Sequence, residues 1–192
     1  MELRGKAVSV TPDGEEDGFE PALAYHGEMT PKGDTRLVAS APPGEIRRVH
    51  EALVKALKPP LNVLYRQKVN RRDPQPQGSP PRDFVALDLP SERVAEALND
   101  AASLIYHDAR CEVWIRGSLG EQVILDTDGM VFCYPDDPCF RDALDAAGIP
   151  DASFDGMDKR DYVKHWFHQE NDSREDALLA NLKLQEVPHR RG

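Results

Sequence analysis

The chain has 192 residues, 40% hydrophobic and 30% charged, with a formal net charge of −10. That length suits a single domain with appendages, and the negative balance argues against nonspecific adhesion to nucleic acid or anionic lipid. No apolar run approaches the roughly 18 residues of a membrane span and no secretion signal is legible at the start, so the expectation is a cytoplasmic protein whose Cys111, Cys133 and Cys139 stay reduced.

Residues 1–43 carry eight acids against four bases, with glycines, prolines and few large apolar side chains. Such a stretch buries too little surface to offset its ordering entropy, which predicts a loosely ordered acidic N-terminal arm. Within it, residues 6–10 and 36–40 are apolar enough to pair only as short edge strands. From residue 45 to 57 the apolar Ile46, Val49, Leu53 and Leu57 recur at helical spacing, and Pro59 and Pro60 end that helix.

Residues 61–70 then alternate, with Leu61, Val63, Tyr65, Gln67 and Val69 on one side and Arg66 and Lys68 on the other, as in a strand with one wet, basic face. The Pro-rich residues 73–82 form a loop, and residues 84–89 read as the return strand. Residues 44–82 hold nine Lys/Arg against three Asp/Glu, whereas residues 83–150 hold four against fourteen. This asymmetry requires either self-complementary faces or two opposed surfaces for partners. A basic ribbon of Arg66, Lys68, Arg71, Arg72 and Arg82 suits an acidic protein partner, or as a third reading a phosphate backbone along residues 61–82. The competing arrangement is internal, with these bases paired to acids such as Asp83, Asp88 and Glu112.

Ser91 stands where an N-cap belongs, and Val94, Ala97, Leu98, Ala101, Leu104 and Ile105 make the buried stripe of a second helix that closes near His107. Three strands come next, at residues 111–116, 122–126 and 130–134. The last two form a hairpin about Thr127, Asp128 and Gly129. Asp137 caps a third helix with Pro138 in its first turn; Phe140, Leu144 and Ala147 line its buried side, and Gly148 stops it. Cys139, at that helix's N-terminus, is a minor candidate for a reactive thiol. An aromatic helix is expected over residues 158–170, carrying Tyr162, Trp166 and Phe167. A last helix carries Leu178, Leu179 and Leu182 behind a Ser173–Asp176 capping box.

Two constellations hold chemistry. The string Val123-Ile124-Leu125-Asp126-Thr127-Asp128-Gly129-Met130-Val131-Phe132 resembles the first motif of haloacid dehalogenase-type phosphatases. The resemblance implies Asp126 as nucleophile, Asp128 as acid/base and both as magnesium ligands, but it covers ten residues. The βα units that bear that family's later motifs have no counterpart between residue 135 and residue 192. Asp-Gly between two apolar runs is also the ordinary signature of a hairpin turn. On a helix, Asp161, His165 and His168 would share a face and offer three ligands to zinc.

The element order gives an α+β domain over residues 44–150, its mainly antiparallel sheet of about five strands covered by helices, with the arm 1–43 before it and a C-terminal helical appendix over 151–192. The function expected is a noncatalytic cytosolic protein-binding module of regulatory, adaptor or inhibitor type. Arg66, Lys68, Arg71, Arg72, Arg82, Tyr162, Trp166 and Phe167 would meet another protein, no cofactor is required, and a homo-oligomer stays open. The alternative is the magnesium-dependent phosphatase centred on Asp126 and Asp128.

Overall fold

A computed structural model of the chain describes residues 4–76, 78–166 and 168–188. Its first strand, β1 (Ala7–Ser9), pairs antiparallel with β9 (Tyr162–Lys164) in a small separate sheet. Next come β2 (Ala24–Met29), β3 (Thr35–Ser40), helix α1 (Ile46–Ala56), β4 (Leu61–Gln67) and β5 (Arg82–Leu89). Helices α2 (Ser91–Asp100) and α3 (Ala102–His107) lead to β6 (Cys111–Arg116), β7 (Gln122–Leu125), β8 (Val131–Tyr134) and α4 (Pro138–Ala146). Helix α5 (Asp172–Leu182) and β10 (Gln185–Val187) finish the described chain.

The main sheet has eight strands in the order β10-β5-β4-β6-β7-β8-β3-β2, every neighbouring pair antiparallel. The α+β class and the antiparallel sheet are therefore as read from the sequence, with more strands. The extra ones come from outside residues 44–150. Within 1–43, β2 and β3 enter the main sheet, and Leu37 and Ala39 of β3 are fully buried. Tyr25 of β2 is anchored by donating from its hydroxyl to Asp145 of α4 at 2.6 Å. Residues 1–3 of the expected arm lie outside the described residues.

One face of the sheet carries the core. Leu61, Val63 and Tyr65 of β4, Cys111, Val113 and Ile115 of β6, Val123 and Leu125 of β7, and Val131 and Cys133 of β8 share one apolar cluster with Ile46, Val49 and Leu53 of α1, Leu98 of α2, Phe140 of α4 and Leu178 of α5. The helices thus lie on a single side. Their local chemistry is plain at α4, where the Asp137 carboxylate accepts from the Cys139 N–H at 2.9 Å. Gly148 takes a left-handed φ of 71°, and the Ile149 N–H donates back to the Leu144 carbonyl, closing the helix as its sequence predicts.

Elsewhere the predicted helices are corrected. The stripe from Ser91 breaks at Ala101 into α2 and α3, and α2 begins without a side-chain cap. Among the described residues, 158–166 and 168–170 do not form the expected helix. Short 3-10 turns at Met157–Lys159 and Gln169–Asn171 flank β9 instead. Tyr162 and Trp166 mimic helical spacing, but β1 offers Tyr162, Val163 and Lys164 a strand partner that no local signal announces. The Ser173–Asp176 capping box does not form either, because α5 starts at Asp172 with Asn171 before it and no side-chain cap.

The C-terminal segment docks on the rest of the chain. Arg110 and Asp108, both fully buried, form the centre of an ion network in which Arg110 donates to Asp108 at 2.8 Å, to Asp172 at 2.7 Å and to the His168 carbonyl at 2.7 Å. Glu175 of α5 lies 3.6 Å from the same guanidinium and accepts from the Tyr65 hydroxyl and from Gln67. A buried arginine with this many acceptors is a specific latch between β4, the lead into β6, and α5.

Candidate functional site

The sequence-predicted carboxylates come together, but in a turn. Asp126 and Asp128 lie between β7 and β8, which run antiparallel to each other, and β7 is antiparallel to β6 on its other side. The parallel strand end that the phosphatase motif requires is not there. Asp126 folds its carboxylate back to accept from the backbone N–H groups of Asp128 at 2.8 Å and Met130 at 2.9 Å, an Asx-type turn brace. Lys164 from β9 donates to Asp128 and to the Thr127 hydroxyl, each at 2.7 Å. Burial, and secondarily the charge of Asp128, pushes the Asp126 carboxyl up to about 6. Asp126 Oδ1 is thus turned to the backbone, and the Asp128 carboxylate to Lys164 and to the Tyr162 hydroxyl.

Beside this turn lies a cleft of about 710 Å³, walled by Gly5, Ala7, Phe19, Pro42, Tyr106 and Met130 among others. Its titratable groups are mostly engaged. Arg4 meets Glu16, Arg48 holds Glu45, the Tyr106 hydroxyl meets the His50 ring, and the buried Lys6 ammonium donates to the Cys111 carbonyl at 2.7 Å.

Of the three proposed metal ligands, Asp161 and His165 stand at either end of β9 and His168 just before the second 3-10 turn, so they do not share a helical face. The Asp161 carbonyl accepts from Val10, the His165 backbone bridges Lys6 and Ala109, and the His168 carbonyl accepts from Arg110. Among the described residues no cluster of three such ligands forms. The Cys139 thiol, expected to be activated, is instead pushed up to about 11, first by desolvation and then by Asp137 beside it. The same carboxylate that caps the helix cancels the benefit its dipole gives a thiolate.

The basic ribbon is largely turned inward. Arg66 grips Asp83 through two bonds of 2.8 and 2.9 Å, and Lys68 reaches Glu112 at 3.2 Å. Arg71 binds Asp172 at 2.9 Å, Arg72 binds Asp176 at 2.9 Å, and Arg82 binds Glu186 at 2.9 Å. The charge asymmetry read from the sequence is met by pairing within the molecule. Tyr162 and Trp166 are half-buried and Phe167 lies outside the described residues, so the expected aromatic helical face does not form.

A different surface emerges from the strand register. On the face turned from the helices, Val85 stands opposite Leu64, Leu64 opposite Trp114, Trp114 opposite Ile124, Ile124 opposite Phe132, and Phe132 opposite Val38. One unbroken apolar row therefore crosses six strands, outside the helix-side core cluster; Val38 and Ile124 are buried and the other four half-buried. It ends at β2 on His26, whose ring meets Phe154 edge-on at 4.7 Å. At the other end Leu87 is 64% exposed and Val187 44% exposed. Arginines cover two of the rings, Arg36 at 4.5 Å from Phe132 and Arg66 at 5.1 Å from Trp114.

Polar rows flank this stripe. On one side Asp83, Arg66 and Glu112 stand in register, with Lys68 as the second base on Glu112; on the other lie Asn62, Arg116, Gln122 and Tyr134. Arg116 is exposed, with no acidic side chain in ion-pair range among the described residues. No family model, curated protein or solved structure matches the chain.

Proposed function

We propose that this chain is a noncatalytic cytosolic protein-binding module, regulatory, adaptor or inhibitor in kind, and that it binds through the open face of its sheet. The observation that carries this reading is the apolar row Val85, Leu64, Trp114, Ile124, Phe132 and Val38. An antiparallel sheet with one face in solvent ordinarily alternates apolar inward with polar outward. Here the side turned from the helices carries an aromatic and aliphatic band with a polar rim on both sides, its Val85, Leu64, Trp114 and Phe132 half-buried and its Ile124 and Val38 buried, the composition found at the centre of protein interfaces. The braced turn at Asp126 and the engaged walls of the cleft favour binding over turnover. No helix among the described residues is long and apolar enough to cross a membrane.

The test compares the native chain with Phe132→Glu in affinity isolation from the source cells. A stoichiometric protein retained by the native chain and lost by the folded variant supports the reading. Equal retention by both, or none by either, refutes it.

A further inference from the structure

Independently of the sheet face, we propose that the cleft beside the Asp126 turn binds a small monocarboxylate with an apolar body, its carboxylate received by Lys6 and Ser40. The walls come from residues 4–8, 18–21, 40–46 and 128–130, together with Glu16, Tyr106 and Met157. At about 710 Å³ the cleft falls within the roughly 300–1,000 Å³ of sites for small organic ligands.

Most charges of the cleft cancel, and the cation left over is inside. Arg4 lies 3.4 Å from Glu16, Arg48 holds Glu45 at 2.7 Å, and Lys164 holds Asp128 at 2.7 Å. Glu20 is exposed to water. Lys6 is different. It is 1% exposed, and its ammonium, with three N–H groups to donate, gives one hydrogen bond, to the Cys111 carbonyl at 2.7 Å. No carboxylate among the described residues lies in ion-pair range of it, although Asp126 and His50 feel its charge from further off. An interior cation without a counter-charge is unfavourable, and folded chains ordinarily pair such groups. A ligand carboxylate supplies the missing anion and accepts a charge-assisted hydrogen bond from the ammonium.

Ser40 is a second, separate sign. This last residue of β3 is also 1% exposed and lines the same cleft. Its hydroxyl has no hydrogen-bond partner among the described residues, an uncommon condition for a buried polar group and one that a bound acceptor removes.

The remaining wall selects the rest of the ligand. Phe19, Pro21, Pro42, Ile46, Met130 and Met157 are apolar, and the two thioethers adapt to either an aliphatic chain or a ring. A phosphate or a dicarboxylate would bring a second negative charge toward Glu16, Glu45 and Asp128, whose bases are already taken, so a single carboxylate is the matching head group.

The test is isothermal titration calorimetry of the full chain at pH 7 with octanoate and with hydrocinnamate, each compared with its own uncharged amide. For ligands of about ten non-hydrogen atoms, one-to-one binding of at least one acid is expected with a Kd between about 10 µM and about 1 mM, and of its amide at least about tenfold more weakly. Lys6→Met should lose at least about tenfold, and Ser40→Ala about threefold. Phe19→Glu, which sets a like charge in the wall, should lose at least about tenfold, whereas Lys55→Met on the exposed side of α1 should change affinity less than about twofold. Circular dichroism confirms that each variant is folded, and Phe19→Glu, at a half-buried position, decides the matter if Lys6→Met does not fold. Neither acid binding up to about 5 mM, amides binding as tightly as the acids, or an affinity unchanged in the folded variants at Lys6 and Phe19 overturns the inference.

Discussion

Replacing Arg110 by methionine tests the buried latch that joins α5 to the sheet. Methionine keeps much of the side chain's length and removes the cation, leaving Asp108, Asp172 and Glu175 without it. Their remaining partners differ. Asp172 keeps Arg71, Glu175 keeps Tyr65 and Gln67, and Asp108 keeps, among the described residues, the Arg110 N–H at 3.0 Å and the Asn171 amide at 3.2 Å. Asp108 is wholly out of solvent, so most of the cost falls there. Stranding one partner of a buried pair costs about 3–5 kcal/mol, set against a total stability of about 5–15 kcal/mol for a domain. Urea unfolding at pH 7, followed by tryptophan fluorescence and circular dichroism, should show that loss in the midpoint. Adding Asp108→Asn to Arg110→Met removes the orphan charge and should recover about half of it. A loss below about 1 kcal/mol, or no recovery in the double variant, would refute the latch.

Asp126→Asn probes the turn. A carboxyl raised to about 6 by burial and by Asp128 favours its protonated form in the folded state, so stability falls as pH rises from about 4 to about 6, and the cost persists above that. Asparagine keeps an oxygen for the Asp128 and Met130 N–H groups, so the variant should gain about 1–2 kcal/mol at pH 7 and little at pH 4 in thermal melts; destabilisation at pH 7 would contradict this. His50 has the opposite sign. Burial, then the charge of Lys6, lowers it to about 3, so its contribution is complete above pH 6.5 and is lost as pH falls toward 3. His50→Phe should flatten the stability curve between pH 6.5 and 4.5 by about 2–3 kcal/mol, and an unchanged slope would show that another group carries it. The exposed Arg82–Glu186 pair should matter little. Arg82→Ala is expected to cost at most about 1 kcal/mol by urea unfolding, and a larger loss would mean that β10 depends on it.

Elements specified within a dozen residues were legible. The α4 helix carries its cap at Asp137, its proline at Pro138 and its stop at Gly148 in one short window, and each acts where the sequence puts it. The hairpin at 122–134 is similarly local, which is why the phosphatase-like string could be weighed as a turn. Where the decisive partner is distant, the local signal misleads. Strand β2 contains Gly27 and the half-buried polar His26 and Glu28, and it is a strand because β3 pairs along it and Tyr25 reaches Asp145, 120 residues away. The latch around Arg110 had a trace in the sequence, an aspartate two residues before an arginine at the mouth of an apolar strand. Its meaning depends on Asp172 and Glu175, which belong to a segment the sequence sets apart as an appendage.

The open face was hidden for a related reason. Strand by strand, its side looks wet. Asn62 and Arg66 bracket Leu64, and Glu112 and Arg116 bracket Trp114, so each strand alone shows one apolar residue between polar ones. Registration converts those isolated residues into a band, because antiparallel pairing sets the central residue of each strand beside the central residue of the next. The same registration brings Asp83 and Glu112 against Arg66, dissolving the basic ribbon that dominates the linear charge pattern. Charge blocks in a sequence are therefore poor guides to a surface when the fold is antiparallel, since the pairing that creates the sheet also brings the blocks together. What survives the pairing on this face is Arg116, exposed at the edge of the apolar band with no acid in ion-pair range among the described residues.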